Sequence, residues 1–269
     1  MRVFILSTMI LWLLSGICTA AEPPNAYVTR IINAPVSIAI DGDLSDWEGI
    51  EVPEEPLRNR CISAGEKGQK FVLLSGDADL SASLRCFVHE DIFYIAVSVT
   101  DDLLVFGEEQ FGSRWQDDSV EIYFDGDLAV RQWEYGSDHS ETPHTSNYDR
   151  NDAEIRIAKD RQGMVHLEGM GLFGDRLMML PGLWESLGIV AAIRENARGY
   201  TAELKVPKGV FVSTPLRFGA EIGFNVMIND DDDGEERDHK ISWTSDPSDK
   251  SWHNTAMFGT LVIQHQEQP

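Results

Sequence analysis

A tryptophan followed by closely spaced carboxylates is the first pattern in this sequence that suggests a binding chemistry. It lies in the segment Trp115-Gln116-Asp117-Asp118-Ser119-Val120-Glu121. An aromatic ring beside acidic groups suits a sugar, because C–H groups pack on the ring while hydroxyls donate hydrogen bonds to carboxylates. Six fully extended residues span about 20 Å. Trp115 and Glu121 can therefore contact one sugar unit only if the chain bends near Gln116 and Asp117.

A run of acidic residues, Asp230 to Glu236, directly follows a predicted strand that ends at Asn229. Carboxylates on a glycine-containing loop are suitable ligands for a hard cation such as calcium, although the spacing is not that of an EF-hand. Asp230 and Asp232 are the candidate ligands in this run, and Asp101 is a third candidate at the end of another predicted strand. The alternative is an acidic loop that is only solvated.

The chain begins with a basic residue, an apolar stretch from Val3 to Ile17 and small residues at 19–21. This pattern predicts a secretory signal peptide over residues 1–20 and one domain over residues 21–269. The stretch is short for a membrane span, and no later segment reaches the roughly 20 apolar residues that a span needs. We therefore expect a secreted or periplasmic protein with no transmembrane segment in its mature chain.

Loss of the signal peptide would leave two cysteines, Cys61 and Cys86. In an oxidising compartment a disulfide between them is the default expectation, and two separate buried thiols are the alternative.

The formal net charge is −23, from 45 acidic and 22 basic residues. Such a surface repels polyanions, so nucleic acid is excluded as a partner, and anionic membrane surfaces are disfavoured. Mutual repulsion of so many carboxylates also makes bound calcium a reasonable expectation.

Several segments alternate apolar and polar residues with a period of two, which is typical of half-buried strands. The clearest are residues 92–100, 119–125, 200–206 and 222–229, and weaker candidates are 36–40, 154–158, 165–168, 189–193 and 259–263. A short helix is predicted near residues 180–187, and two long polar stretches, residues 131–152 and 230–240, read as loops. This pattern predicts an all-β fold, a single antiparallel β-sandwich of the jelly-roll or immunoglobulin-like type with two packed sheets.

Six segments occur in an order that resembles carbohydrate-binding module family nine, within the wider group of DOMON-like sandwiches. They are Ile40-Asp41-Gly42-Asp43-Leu44-Ser45-Asp46-Trp47, residues 93–101, residues 115–125, Gly199-Tyr200-Thr201-Ala202-Glu203-Leu204-Lys205-Val206-Pro207, residues 222–230 and residues 252–261. The resemblance covers nearly the whole mature chain. It implies a calcium-containing sandwich that binds the reducing end of an oligosaccharide or polysaccharide between two tryptophans, without cleaving it.

The resemblance also implies roles for individual residues. Trp115 and Glu121 match one of the tryptophans and a ligand-bonding glutamate, and Asn254 resembles the polar ligand residue near the C-terminus. The second tryptophan resembles Trp252, although Phe258 occupies the position before Gly259. An arginine from the middle loop corresponds to Arg131 or Arg150.

Three other functions remain open at this point. An electron-transfer domain could hold haem between Met227 or Met257 and His166, but methionines in strands are ordinarily core residues. A glycoside hydrolase needs two carboxyl groups about 5 to 9.5 Å apart, and the chain has no room for a catalytic domain beside the sandwich. A scaffold or envelope protein that has lost sugar binding is the third.

Overall fold

The computed structural model describes residues 26–33, 36–61, 76–107, 110–128, 133–134, 145–146, 148–173, 176–210, 216–235, 237–245 and 249–265. The predicted signal peptide and Arg131 lie outside these ranges. None of the helices in the described ranges is long and apolar enough to cross a bilayer.

Strands make up almost all of the regular secondary structure in the described residues. The strands are β1 (Ala26–Ile31), β2 (Glu55–Leu57), β3 (Asn59–Arg60), β4 (Leu80–His89), β5 (Ile92–Asp101), β6 (Ser119–Asp125), β7 (Trp133–Glu134), β8 (Thr145–Ser146), β9 (Asp152–Lys159), β10 (Val165–Glu168), β11 (Gly171–Phe173), β12 (Arg176–Met178), β13 (Val190–Asn196), β14 (Gly199–Pro207), β15 (Glu221–Asp230), β16 (His239–Ser242) and β17 (Gly259–His265). The helices are α1 (Leu183–Ser186) and 3-10 turns at Leu44–Trp47, Lys208–Val210 and Thr255–Met257.

Fifteen of these strands form one hydrogen-bonded sheet, with the main order β12-β11-β9-β6-β15-β17-β1-β4-β5-β14-β13. The strands β10, β16, β2 and β3 pair beside this path, and β7 and β8 form a separate small pair. The prediction of two separate antiparallel sheets was therefore only partly right. β1 runs parallel to both β17 and β4 and bonds to each, which joins the two halves into one sheet.

The sheet folds over so that its two halves pack face to face around one core. As the alternation predicted, Val120, Ile122 and Phe124 of β6 are buried in that core. The ring of Phe93 in β5 lies 5.9 Å from Phe124 and 6.1 Å from Phe224 of β15, edge to face, so aromatic contacts connect the halves. The described chain is thus nearly all-β and has a sandwich-like core.

The segment that ends at Trp47 closes one side of the sandwich. Trp47 is fully buried, and its indole Nε1 donates a 2.7 Å hydrogen bond to Glu203 of β14. The backbone N–H of Gly42 donates to the other Glu203 oxygen at 2.6 Å. Gly42 has φ +80°, and a Cβ there would lie 2.6 Å from the Cβ of Arg194, so glycine is required. The predicted strand at residues 36–40 is irregular in the structure.

The predicted disulfide between Cys61 and Cys86 is wrong, because the two cysteines are not bonded. Cys86 lies in the main core on β4, where burial raises the pKa of its thiol to about 12. Cys61 instead packs against a separate cluster that contains Tyr123 and Tyr148. The sheet thus separates the two thiols into different packed regions.

Candidate functional site

The outer face of β6 carries polar side chains that are also buried. Ser119, Glu121, Tyr123 and Asp125 point away from the core, as the alternation predicted, yet each is almost inaccessible to solvent. In the sheet register Glu121 lies opposite Arg156 of β9. This face is covered by other parts of the chain, which turns it into a polar interior.

Glu121 is the centre of that polar interior. Its Oε1 accepts hydrogen bonds from Arg156 Nε at 3.1 Å and Asn229 Nδ2 at 3.0 Å. Its Oε2 accepts from the Tyr123 hydroxyl at 2.5 Å and lies 2.5 Å from Lys240 Nζ. Burial disfavours the charged carboxylate, but the Lys240 and Arg156 charges outweigh burial and hold the pKa of Glu121 well below its ordinary value.

Lys240 connects this centre to a second pair of charges. Its Nζ donates a 2.6 Å hydrogen bond to Oδ1 of Asp249, and Arg237 Nη2 donates one of 2.6 Å to the other oxygen of that carboxylate. The Arg237 guanidinium lies 5.2 Å from the centre of the Trp115 ring, within cation–π range. A continuous chain of contacts therefore runs from the half-buried Trp115 to Glu121.

The chain bends near Gln116 and Asp117, as contact of Trp115 and Glu121 with one sugar unit would require. Residues 113–118 form turns, with the Gln116 N–H donating to the Ser113 carbonyl oxygen at 3.0 Å, and β6 begins only at Ser119. Buried Arg114 anchors the turn by an ion pair with Glu168 of β10. The turn carries Trp115 to Arg237 instead of letting it extend along the strand.

Trp252 is connected to the buried polar face through a cluster of buried side chains. It is half-buried and packs against a cluster of Tyr123, Tyr148, Met227 and Phe258. Tyr123 in this cluster also donates to Glu121, so Trp252 as well as Trp115 is linked by contacts to the Glu121 network. Phe258 is buried behind Trp252, so of these two aromatic side chains Trp252 is the more accessible.

Asn254 has a structural contact of its own. It caps the 3-10 turn Thr255–Met257, with its Oδ1 accepting from the Ala256 N–H at 3.2 Å. The side chain is half-buried, two residues after Trp252.

Sequence reasoning missed all three basic side chains that this network contains. Arg131 lies outside the described residues and Arg150 is exposed, whereas the arginine beside Glu121 is Arg156. The sequence did contain a signal for Arg156, because this residue lies in the middle of the predicted strand 154–158, on the face that points away from the core. Lys240 and Arg237 gave no comparable signal, since both lie within residues 230–240, which the sequence predicted to be a loop.

Two polar atoms next to Glu121 have no hydrogen-bond partner in the described part of the chain. They are Oε2 of Glu154 and Nη1 of Arg156, the latter 3.6 Å from a Glu168 oxygen. Burial raises the pKa of Glu154 to about 7, although Arg156 lowers it. Buried polar atoms normally have a partner, so these two offer an acceptor and a donor to an added hydroxyl or water.

A second group of titratable residues lies where β5, β6 and β15 begin or end. Oxygens of Asp101, Asp118 and Asp230 lie within 4.8 Å of one another, and all three side chains are buried. No Lys or Arg of the described ranges forms an ion pair with them, while Oδ2 of Asp101 and Oδ1 of Asp230 have no partner there. Burial and neighbouring carboxylates raise the pKa of Asp101 to about 7 and that of Asp118 to about 9.

The sequence had named Asp230 and Asp232 in one acidic run, and Asp101 at a separate strand end, as candidate metal ligands, and the structure brings all three to this end of the sheet. Asp232 forms a further group with Asp101 and Asp102, again within 4.8 Å. The sequence analysis did not name Asp118 as a candidate ligand. Its two oxygens accept from the N–H groups of Val105 at 2.6 Å and Asp231 at 3.0 Å, which fixes both loops to β6.

An all-β sandwich that presents two tryptophans beside a buried network of charges is the architecture of a ligand-binding domain. The model of the family described as "carbohydrate family 9 binding domain-like" matches residues 66–266, so this chain belongs to that family.

Curated relatives include exoglucanase XynX of Acetivibrio thermocellus, 26% identical over 89% of this chain, and endo-1,4-beta-xylanase A of Thermotoga maritima, 25% identical over 83%. The match covers only 17% of each of those proteins, so the chain corresponds to a small part of either enzyme.

Among solved structures, the chain is similar to a carbohydrate-binding module family 9 of Caldicellulosiruptor kristjanssonii in complex with cellotriose. The TM-score is 0.61 at 16% identity, over 91% of this chain and 96% of that one. A putative carbohydrate-binding protein from Bacteroides uniformis gives a TM-score of 0.54 at 14% identity, over 90% and 100% of the two chains. These likenesses show the fold.

Proposed function

We propose that this protein binds an oligosaccharide, or the end of a polysaccharide chain, without cleaving it. The observation that carries the proposal is the continuous set of contacts from Trp115 through Arg237, Asp249 and Lys240 to Glu121. It combines an aromatic face with charged donors and acceptors, which is the chemistry that a pyranose needs.

We assign different parts in this function to the individual residues on the basis of their contacts. The four hydrogen-bonding positions of Glu121 are already used, because a carboxylate accepts about four hydrogen bonds. Glu121 therefore positions Arg156 and Lys240, and it reaches a sugar hydroxyl only if one of its present donors moves. Asp249 is the more accessible acceptor, with 14% of its side chain exposed.

Trp252 is our candidate for the second aromatic face, and Asn254 for a polar contact at its edge. Trp252 packs on the same cluster that supports Tyr123, so movement of the ring would be limited by its neighbours. Asn254 makes its capping bond through Oδ1, which accepts from the Ala256 N–H. A ring held by packing loses little entropy on binding, which favours affinity.

The ligand class that we favour is a β-linked glucan or xylan oligosaccharide. One similar structure was solved with cellotriose and another with glucose, and the curated relatives are an exoglucanase and xylanases. Because the chain matches only a small part of those enzymes, we propose that it assists carbohydrate breakdown and has no hydrolase activity of its own.

We further propose that calcium binds the group formed by Asp101, Asp118 and Asp230, with Asp232 next to it. Oxygen ligands are what calcium prefers. The residues fit such an ion, because two of their buried oxygens have no partner in the described ranges and the nearby charges are negative. A cation there would neutralise this repulsion and fix the loops at residues 105 and 231.

Export of the protein remains part of the proposal. The basic and apolar start of the sequence supports a signal peptide over residues 1–20. Expression in a host with fractionation of periplasm and medium, followed by N-terminal sequencing, tests it. A protein retained in the cytoplasm with an intact N-terminus would contradict export.

A glycan screen followed by titration calorimetry tests the binding function. The ligands are cello-oligosaccharides and xylo-oligosaccharides, with and without a chelator. We expect Trp115→Ala to weaken binding at least about 30-fold, as for a central aromatic contact. The matched control is Phe218→Ala, an exposed ring near the start of β15, at the far end of that strand from the site. Equal binding by Trp115→Ala and the parent would contradict the proposal, and sugar release at catalytic rates would contradict its non-enzymatic part.

A further inference from the structure

We propose that Asp79, Asp230, Asp232 and His239 form a site for a divalent transition-metal ion, beside the all-oxygen group that we assign to calcium. One ligand atom from each of the four residues lies within 4.8 Å of the other three. Nδ1 of His239 lies 3.0 Å from Oδ2 of Asp230 and 3.9 Å from Oδ2 of Asp232. An imidazole therefore stands among three carboxylates.

Separate parts of the fold hold these four side chains together. His239 and Asp230 are paired residues of β16 and β15. Asp79 comes directly before β4, and Asp232 lies in the turn after β15. That turn is fixed, because the Asp238 N–H donates to the Asp230 carbonyl oxygen at 2.8 Å and the Asp232 N–H donates to Asp238 Oδ2 at 3.0 Å. Two of the ligands are thus positioned by paired strands, and the turn that carries Asp232 is held by hydrogen bonds.

The Asp230 carboxylate has only part of its charge balanced within the described part of the chain. The Asp230 side chain is fully buried, and its Oδ1 has no hydrogen-bond partner in the described part of the chain. Asp230 also supplies an atom to the group with Asp101 and Asp118, so its carboxylate lies between two sets of acids. One imidazole carries at most a single positive charge, and no Lys or Arg of the described ranges forms an ion pair with Asp230. A divalent cation would supply the positive charge that the described side chains around Asp230 do not.

The donor set decides which cation fits. Calcium binds oxygen ligands, whereas an imidazole nitrogen together with carboxylates suits zinc, cobalt, nickel or manganese. Ligand atoms about 2.1 Å from a tetrahedral ion lie about 3.4 Å apart, so the atoms of this group, now within 4.8 Å of one another, would close in by up to about 1.4 Å on binding. Binding would break the present contact between His239 and Asp230 and release any proton held there.

Cobalt(II) titration tests this site, because its visible absorption reports nitrogen and oxygen ligation directly. The full chain is stripped with a chelator and titrated in about 1 mM calcium, which occupies oxygen-only sites. We expect one cobalt ion per chain and competition by zinc. His239→Gln should weaken cobalt binding at least about tenfold. The control is His166→Gln, which removes a similar histidine, 2.8 Å from Asp160 and outside the group.

The outcomes separate this inference from the proposals above. Absence of cobalt absorption in the parent, or equal affinity in His239→Gln and the parent, would overturn the transition-metal site. Calcium content by mass spectrometry reports separately on the group of Asp101 and Asp118. Oligosaccharide binding in His239→Gln reports on the sugar site, and we expect it to stay within about twofold of the parent, because successive residues of a strand point to opposite faces and His239 therefore does not share a face with Lys240 on β16.

Discussion

Replacing Lys240 by methionine removes the cation that joins two carboxylates in the polar interior. Nζ of Lys240 lies 2.5 Å from Oε2 of Glu121 and 2.6 Å from Oδ1 of Asp249, and only 4% of its side chain is exposed. Loss of one partner of a buried ion pair costs about 3–5 kcal/mol, because the remaining charge stays buried without compensation. Methionine keeps most of the apolar contacts of the lysine stem, so we expect a loss of about 3 kcal/mol at about pH 8.

The loss should depend on pH. Lys240 and Arg156 together lower the pKa of Glu121, so the carboxylate stabilises the fold above its ordinary pKa and this contribution is lost as pH falls. Without Lys240 the pKa of Glu121 rises towards and above its ordinary value. Protonation then relieves part of the repulsion, and we expect the destabilisation to shrink to about half at about pH 5.

Urea unfolding at the two pH values measures both effects. The control is Lys208→Met, since Lys208 pairs with Asp91 at 2.7 Å on the surface, where both side chains are more than half exposed. Such exposed pairs contribute less than about 1 kcal/mol. An unfolding free energy of Lys240→Met equal to that of the parent, or the same loss at both pH values, would refute the assignment of a charge-balanced polar interior.

Three further predictions address other parts of the molecule. Burial and the facing Asp125 raise the pKa of Asp152 to about 8, so this carboxyl group makes the fold less stable as pH rises from about 4 to 8. Asp152→Asn, measured in the presence of a chelator, should therefore raise the Tm by several degrees at about pH 8 and change it little at about pH 4. An Asp152→Asn Tm that follows the parent at every pH would contradict this. Glu203→Gln should lower the free energy of unfolding by about 1–3 kcal/mol, measured by urea unfolding, because it weakens the hydrogen bond to Trp47. Sugar affinity, measured by calorimetry, should stay unchanged, and a loss of affinity would argue against a purely structural role. Calcium at about 100 times its Kd should raise the free energy of unfolding by about 2.7 kcal/mol. In thermal scans, Asp118→Asn should abolish this gain. A calcium effect that survives in the variant would place the ion elsewhere.

Strand positions in this protein could be predicted from the sequence because alternation reports directly on which side chains face the core. The segment 119–125 matches β6, and the predicted strand 222–229 lies within β15 by one residue at each end. β4 was missed, although it pairs with β5 over ten residues. Its core face includes Ala82 and Cys86, and the small side chain of Ala82 gives weak contrast with Ser81 and Ser83 on either side of it.

The pairing of strands and the composition of the site were less accessible from sequence. Alternation gives the face of a residue but not its neighbour across the sheet, so nothing in the sequence placed Arg156 opposite Glu121. The same holds for β1, whose parallel pairing with β17 depends on contacts between the two ends of the domain. Asp249 and Lys240 lie on either side of a connection, and only the folded chain brings both onto one charge network.

The most direct test of carbohydrate binding at this face is titration calorimetry of cellotriose with the parent, Trp115→Ala and Trp252→Ala. Urea unfolding of each variant shows that the fold is intact. The proposed site predicts saturable binding by the parent and a loss of at least about 30-fold in both variants, with unfolding free energies that change by less than about 2 kcal/mol. Full affinity in both variants would place the sugar on another surface and contradict the proposal.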